Sequence, residues 1–375
     1  MSIRVLVVDD SAFMRKVISE MIASEPGLEV VGTARNGADG IIKTIKHRPD
    51  LITLDIEMPE MSGLEALRKI LHTPEIDPKP IVLMCSSLTV DGSNEALHAL
   101  RLGAADFIAK DPHAVGNDDG SFRTELIHKI KAIANPMHGR SRVVSEVRRE
   151  THRPEMALSS LPKGEPRILE SALEALRPKC IAIGSSTGGP PVVETIVCAL
   201  SAGFPAPVLI AQHMPSLFTK SLAKRLNAVA KIEVKMAEHG EVISGGTVYI
   251  GEGGKHIRVR HSGSLMRLEI SPTPKDAPYK PSVNELFSSV SKHFGADALG
   301  VMLTGMGEDG VVGAKSFVDN GGRIITQKAS SCVVYGMPRA VVDAELSCGA
   351  ASPDLIATIL KNIGDEMIGN YPISA

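Results

Sequence analysis

Short apolar runs, each ending in polar residues, recur along the first third of the chain. Residues 3–8 read Ile-Arg-Val-Leu-Val-Val, and similar runs occupy 28–34, 51–54, 80–85 and 106–109. Near-continuous apolar character over so few residues suits strands buried on both faces of a parallel sheet. The segments between them favour helices. Ser11 is placed to cap one reaching Ala23, Asn36-Gly37 opens another reaching His47, and a last one spans about 124–134. Strands alternating with helices predict a five-stranded doubly wound α/β unit.

The pattern stops near residue 135 and resumes near 180. Between them no strand signal is found, and Pro136, Gly139, Pro154, Pro162, Gly164, Pro166 and Pro178 break any periodicity. Five arginines fall between Arg140 and Arg153 against Glu146 and Glu150. Such a stretch buries too little apolar surface to order itself, so 136–177 reads as a flexible linker, with a short helix at 168–176 leading out of it. After it, strands are predicted at 181–184, 207–211, 231–237, 247–250, 299–303 and 322–327, and helices at 191–202, 218–226 and 283–294. An antiparallel hairpin over 256–270 turns at Ser262-Gly263. The second unit is therefore also doubly wound α/β, mostly parallel, with the hairpin making the sheet mixed. The expected division is 1–135, a linker at 136–177, and 178–370.

Composition narrows the function classes. The chain has 375 residues, 43% hydrophobic and 22% charged, which is ordinary for globular domains and long enough for two. A net charge of −2 and 3% aromatics with no tryptophan argue against nucleic-acid binding. The five cysteines are scattered without a C-x-x-C pair, as expected for reduced thiols and not for zinc. No apolar run approaches the ~20 residues that span a bilayer, and the first residues lack a signal-peptide layout. A soluble, cytoplasmic protein without membrane insertion is expected.

Chemistry gathers at strand ends. In the first unit these carry Asp9, Asp10, Asp55, Ser86 and Lys110, and ligands of open α/β sheets bind outside the carboxyl ends of strands. Three converging carboxylates repel one another unless a cation offsets them, and oxygen ligands suit Mg²⁺. Val7-Val8-Asp9-Asp10-Ser11, Leu54-Asp55-Ile56-Glu57-Met58-Pro59 with Gly63, Ser86, and Phe107-Ile108-Ala109-Lys110 resemble the flavodoxin-like receiver domain of bacterial response regulators. The resemblance implies phosphorylation of Asp55 by a histidine kinase. It implies Mg²⁺ on Asp10, Asp55 and the Glu57 carbonyl with Asp9 in the outer shell, and Ser86 and Lys110 on the phosphoryl group. Lys110 here precedes Asp111-Pro112, where the family often has lysine followed directly by proline.

In the second unit, Gly184, Ser186 and Gly188 match G-x-S-x-G, a strand-to-helix turn that lifts a serine clear of a sheet. The same glycines also fit an anion cradle or a plain βα loop. Two further buried strands lead to His213 and Asp309. A serine hydroxyl is barely ionised at neutral pH and needs a base, and an imidazole needs a carboxylate to fix its tautomer. The chain order Ser–His–Asp is not that of α/β-hydrolases. His239 and His256 lie at or near glycine-rich turns without a matching partner.

Gly184-Ser185-Ser186-Thr187-Gly188-Gly189-Pro190, Gln212-His213-Met214-Pro215, Leu303-Thr304-Gly305-Met306-Gly307-Glu308-Asp309-Gly310 and Gly336-Met337-Pro338 resemble the catalytic domain of chemotaxis protein-glutamate methylesterases. The resemblance implies a catalytic triad of Ser186, His213 and Asp309, with Thr187 and Met306 as oxyanion partners and no cofactor for the esterase step. It implies hydrolysis of glutamyl methyl esters on chemoreceptors, glutamine deamidation, and an unphosphorylated receiver that covers the active site. The rival reading is a non-enzymatic response regulator whose second unit binds a nucleotide or anion. It lacks the acidic residue expected after the next strand, where Leu209-Ile210-Ala211 runs into Gln212-His213. A DNA-binding output is weaker still, since no basic recognition helix is evident.

Overall fold

Each apolar run of the first unit becomes a strand of one parallel sheet. In a computed structural model, which describes residues 2–110, 121–134, 173 and 176–369, the elements are β1 (Ile3–Val8), α1 (Ala12–Ala23), β2 (Leu28–Ala34), α2 (Gly37–His47), β3 (Leu51–Asp55), α3 (Gly63–His72), β4 (Ile81–Ser87), α4 (Val90–Leu102), β5 (Asp106–Lys110) and α5 (Ser121–Ala134). The strand order is β2-β1-β3-β4-β5, so the order of strand addition switches sides between β1 and β3 while all strands stay parallel. Polar side chains start the helices. Ser11 accepts from the Met14 N–H, and Asn36 from the Asp39 N–H. At α3, Ser62 and Glu65 form a reciprocal capping box. The expected linker, its arginine cluster, the short helix at 168–176 and the Asp111-Pro112 pair lie outside the described residues, save 173, 176 and 177.

The chain separates into two units, Met1–His138 and Gly139–Ala375. The second contains β6 (Cys180–Ser185), α6 (Gly189–Ala199), β7 (Val208–Gln212), α7 (Ser216–Val229), β8 (Glu233–Met236), β9 (Thr247–Ile250), β10 (His256–Ser262), β11 (Leu265–Ser271), α8 (Val283–Phe294), β12 (Ala298–Met302), α9 (Val311–Asp319), β13 (Arg323–Gln327), α10 (Met337–Asp343), β14 (Gly349–Ala351) and α11 (Pro353–Gly369). Its sheet runs β14-β13-β12-β6-β7-β9-β8, and every pairing in it is parallel.

The β10–β11 hairpin forms as expected, but as a separate two-stranded sheet. It therefore does not make the main sheet mixed. Ile257, Val259 and Leu268 turn its apolar side into the core beside Phe287 and Val290 of α8. Burying that side holds the hairpin against α8, apolar area removed from water contributing about 25 cal/mol per Å². Strands β12, β6 and β7 are parallel neighbours at the middle of the sheet, and the order in which strands are added switches sides between β6 and β12. The loops leaving their carboxyl ends carry Asp309, Ser186 and His213 respectively.

Candidate functional site

Ser186 follows β6 directly, and its position is held from both sides. Its N–H donates to the Thr304 carbonyl at 3.1 Å, and its carbonyl accepts from Gln212 Nε2 at 3.0 Å. Gly188 then turns left-handed at φ +74° to open α6. That helix has no side-chain cap and needs little of one, since Pro190 and Pro191 carry no N–H and the Gly189 N–H donates to the Ser186 carbonyl at 2.9 Å. Thr187 is buried beside the serine. The Thr187 carbonyl accepts from Thr304 Oγ1 at 3.0 Å, which ties the corner to the loop after β12.

His213 follows β7, and its N–H donates to the Ser185 carbonyl at 3.0 Å, joining the two strand ends. Its Nε2 lies 2.9 Å from Asp309 Oδ2, with both side chains under a tenth exposed. Nδ1 is buried without a hydrogen-bond partner. With Nε2 donating to the carboxylate, Nδ1 is the nitrogen with a lone pair free to accept a proton. Ser186 Oγ is not hydrogen-bonded to it in this structure. Such contacts are often long before substrate binds.

Asp309 takes three more hydrogen bonds from the start of α8. The Val283 N–H reaches Oδ2 at 2.7 Å, while Ser282 Oγ and the Asn284 N–H reach Oδ1 at 2.9 and 3.3 Å. Burial works to raise its carboxyl pKa, but the bonds from His213, Val283 and Ser282 outweigh that and hold it below the usual value. The carboxylate stays ionised, as an orienting group for an imidazole must. Val283 also fills the space where a methyl on Gly184 or Gly310 would sit, so α8 can press against the ends of β6 and β12.

Met306 sits in the loop between Thr304 and Asp309. The loop is fixed by Gly305, whose N–H donates to the Val334 carbonyl and whose carbonyl accepts from Gly336 and Met337. Gly305 also faces Ser186 closely, since a Cβ there would lie 2.7 Å from Ser186 Cβ. The structure thus brings Ser186, Thr187, His213, Met306 and Asp309 to one end of one sheet.

In the first unit, Lys110 Nζ lies 2.7 Å from both Asp9 Oδ2 and Asp55 Oδ1. Carboxylate oxygens of Asp9, Asp10 and Asp55 fall within 4.8 Å of one another. Burial raises Asp55 to about 6, with Asp9 adding to the shift and Lys110 opposing it. Gly63 sits so near the Asp55 carbonyl that no side chain fits there. Ser86 lies at the end of β4, but its hydroxyl donates to the Gly92 carbonyl at 2.8 Å. The Glu57 side chain is held by Ser87 Oγ at 2.7 Å.

A family model described as CheB methylesterase matches residues 181–360, and one described as response regulator receiver domain matches residues 5–115. Protein-glutamate methylesterase/protein-glutamine glutaminase 1 of Oleidesulfovibrio alaskensis is 46% identical over 369 residues, covering 96% of this chain and 99% of that protein. The chain belongs to the protein-glutamate methylesterase/protein-glutamine glutaminase family. A second member, from Nitratidesulfovibrio vulgaris, is 45% identical over 366 residues and covers 96% of this chain and 99% of its own. The solved Thermotoga maritima CheB methylesterase catalytic domain aligns with 50% of this chain and 98% of its own at 34% identity and a TM-score of 0.48.

Within this family framework, sequence reasoning missed the residues that hold the site rather than form it. Gln212 and Gln327 are buried polar side chains at strand ends. The first bridges to Ser186, and the second accepts the Thr304 N–H at 2.8 Å and donates to the Ser331 carbonyl at 2.8 Å. A glutamine closing an otherwise apolar strand was the available signal. Ser282-Val283-Asn284 gave only an ordinary helix-capping signal, and Tyr279 gave none.

Proposed function

We propose that this enzyme is a serine esterase that hydrolyses glutamyl methyl esters of chemoreceptors, releasing methanol, and that it also deamidates receptor glutamines. The observation that carries the reading is His213, with Nε2 on the ionised Asp309, Nδ1 without a partner, and its backbone N–H bonded to Ser185, the residue before Ser186. Ser186 Oγ attacks the ester carbonyl while His213 Nδ1 takes its proton, and the imidazolium then returns that proton to the departing methoxide. A water activated by the same nitrogen opens the acyl-enzyme and leaves a glutamate carboxylate. Thr187 and the Met306 N–H stabilise the tetrahedral oxyanion, a single such donor contributing about 3–4 kcal/mol. A carboxamide follows the same path with ammonia leaving.

The first unit regulates this activity. Asp55 is the phosphoacceptor, supplied by a chemotaxis histidine kinase, and Lys110 pairs with the phosphoryl oxygens. Three clustered carboxylates beside the Glu57 backbone form an all-oxygen donor set that fits Mg²⁺, with Asp10, Asp55 and the Glu57 carbonyl as ligands and Asp9 in the outer shell. The ion would neutralise charge where the phosphoryl group arrives. Ser86 must leave the Gly92 carbonyl to reach that group. A receptor substrate and a kinase donor place the enzyme in the cytoplasm, and no described helix is long and apolar enough to cross a membrane. Residues 136–177 are the linker between the phosphoacceptor domain, 1–135, and the catalytic domain, 178–370.

The test is methanol release from radiolabelled methylated receptor, with and without a small-molecule phosphodonor and Mg²⁺. The wild type should release methanol and accelerate with phosphodonor, Asp55→Asn should release it without acceleration, and Ser186→Ala should release none. Methanol release by Ser186→Ala at the wild-type rate would overturn the assignment.

A further inference from the structure

Tyr279 lies three residues before Ser282, on the segment joining β11 to α8. Its ring stacks on the His213 imidazole with centroids 4.4 Å apart and planes 3° from parallel. Its hydroxyl reaches the loop after β12, where a Cβ added to Gly307 would lie 3.3 Å from it. The segment is anchored on both flanks. The Lys280 carbonyl accepts from the Gly254 N–H at 3.0 Å, and Ser282 and Val283 donate to Asp309. One stretch of chain therefore supplies both the hydrogen bonds that hold the carboxylate and an aromatic face against the histidine.

Two physical consequences follow from that stack. The bond to Asp309 fixes where Nε2 points but leaves the imidazole free to swing about the Nε2–Oδ2 line. A flat ring in van der Waals contact removes that swing and so fixes Nδ1. The face of an aromatic ring also attracts a cation. His213 becomes cationic only when it takes the serine proton, so this attraction grows on the way to the transition state, which is the condition for raising kcat.

We propose that Tyr279 is a positioning residue for His213, holding the imidazole plane and stabilising the imidazolium through its ring face. The proposal rests on the triad reading given above. Among the described residues, the Asp309 carboxylate and the Tyr279 phenol ring are in contact with the histidine, and Glu308 acts on the phenol. Burial, followed by Asp309 and Glu308, raises the phenol above its usual pKa, so it stays neutral and acts by its face rather than as an anion.

The experiment measures methanol release from methylated receptor against pH for the full chain, comparing wild type, Tyr279→Phe, Tyr279→Leu and Ser186→Ala. Tyr279→Phe keeps the ring and should stay within about threefold of wild type. Tyr279→Leu should lose about tenfold in kcat with KM nearly unchanged, the size expected of a partly desolvated cation–π contact. The rising limb of its kcat/KM profile should move to lower pH by about half a unit or more, because the protonated histidine is less stabilised. If Tyr279→Leu unfolds at the assay temperature, Tyr279→Met, whose unbranched side chain adapts to an irregular space but has no π face, replaces it. The proposal is overturned if the non-aromatic variant matches wild type, if Phe falls as far as Leu, or if the loss comes without a shift of the limb. An inactive Ser186→Ala beside an unimpaired Tyr279→Leu would sink this proposal alone, whereas an active Ser186→Ala would sink the triad reading beneath it.

Discussion

Asp309→Asn separates the charge of the orienting carboxylate from its shape. The amide must turn its NH₂ toward one of two pairs of donors. At the Oδ2 position the NH₂ would oppose the Val283 N–H at 2.7 Å and force His213 Nε2 to accept, moving the ring proton to Nδ1 and abolishing the base. At the Oδ1 position it meets the Ser282 hydroxyl, which can reverse and accept, and only the 3.3 Å contact from the Asn284 N–H is lost. The second orientation wins, so the tautomer survives and the loss is one of charge. Unit charges at the observed 2.9 Å attract by ~6 kcal/mol at an effective dielectric of about 20. The remaining amide dipole keeps roughly half of that, by the ratio of neutral to charge-assisted hydrogen bonds. About 3 kcal/mol of transition-state stabilisation should therefore vanish, which is about a hundredfold in kcat. Methanol release at saturating methylated receptor measures it. A loss near 10⁴-fold, the size seen when a triad histidine is left in the wrong tautomer, would refute the orientation argument. A rate within about threefold of wild type would refute the role of the charge.

Other substitutions probe the supports of both units. Gly305→Ala places a Cβ 2.7 Å from Ser186 Cβ and closer still to Met337 Sδ. It should lower kcat about a hundredfold through displacement of the serine, with an overpacking penalty of ~1–3 kcal/mol in thermal unfolding. Gly203→Ala, whose nearest contact would be 3.7 Å away, is the neutral control. In the first unit, burial raises Asp55 to about 6 in the folded state. A raised carboxyl contributes stability that is full below its unfolded value and lost as pH rises through the folded one. With chelator present, Asp55→Asn should therefore melt above wild type at pH 8, and the gap should close toward pH 4. A gap independent of pH would show that the buried charge is not its source.

The fold was legible in the sequence to the extent that burial wrote it there. Strands such as 51–55 and 180–185 are buried along their whole length, so they read as nearly continuous apolar runs, with Thr53 inside the first and a polar residue, Asp55 or Ser185, at the end of each. Helices α3 and α4 follow from the alternation of strands and helices but receive no bounds from it, although Ser62 and Glu65 carry a capping-box signature for α3. The strand β14 spans only Gly349–Ala351 and has no apolar run to betray it. The hairpin was foreseen, but its separation from the main sheet was not. Alternation of side chains shows that one side is buried, and says nothing of what covers it.

Ser186, His213 and Asp309 stood out because polar residues at the ends of buried strands have few structural reasons to be there. Asp9, Asp55 and Lys110 did so for the same cause. What the sequence by itself determined was therefore the two α/β units and the chemical types gathered at their strand ends. Which ring nitrogen faces the carboxylate, which donors keep Asp309 ionised, and that Tyr279 lies flat on His213 were decided by the tertiary structure. Those are relations of distance and angle between segments up to 96 residues apart, as between His213 and Asp309. Local propensity acts over a few neighbours along the chain, whereas hydrogen bonds and ring contacts of this kind exist only once packing has brought the segments together.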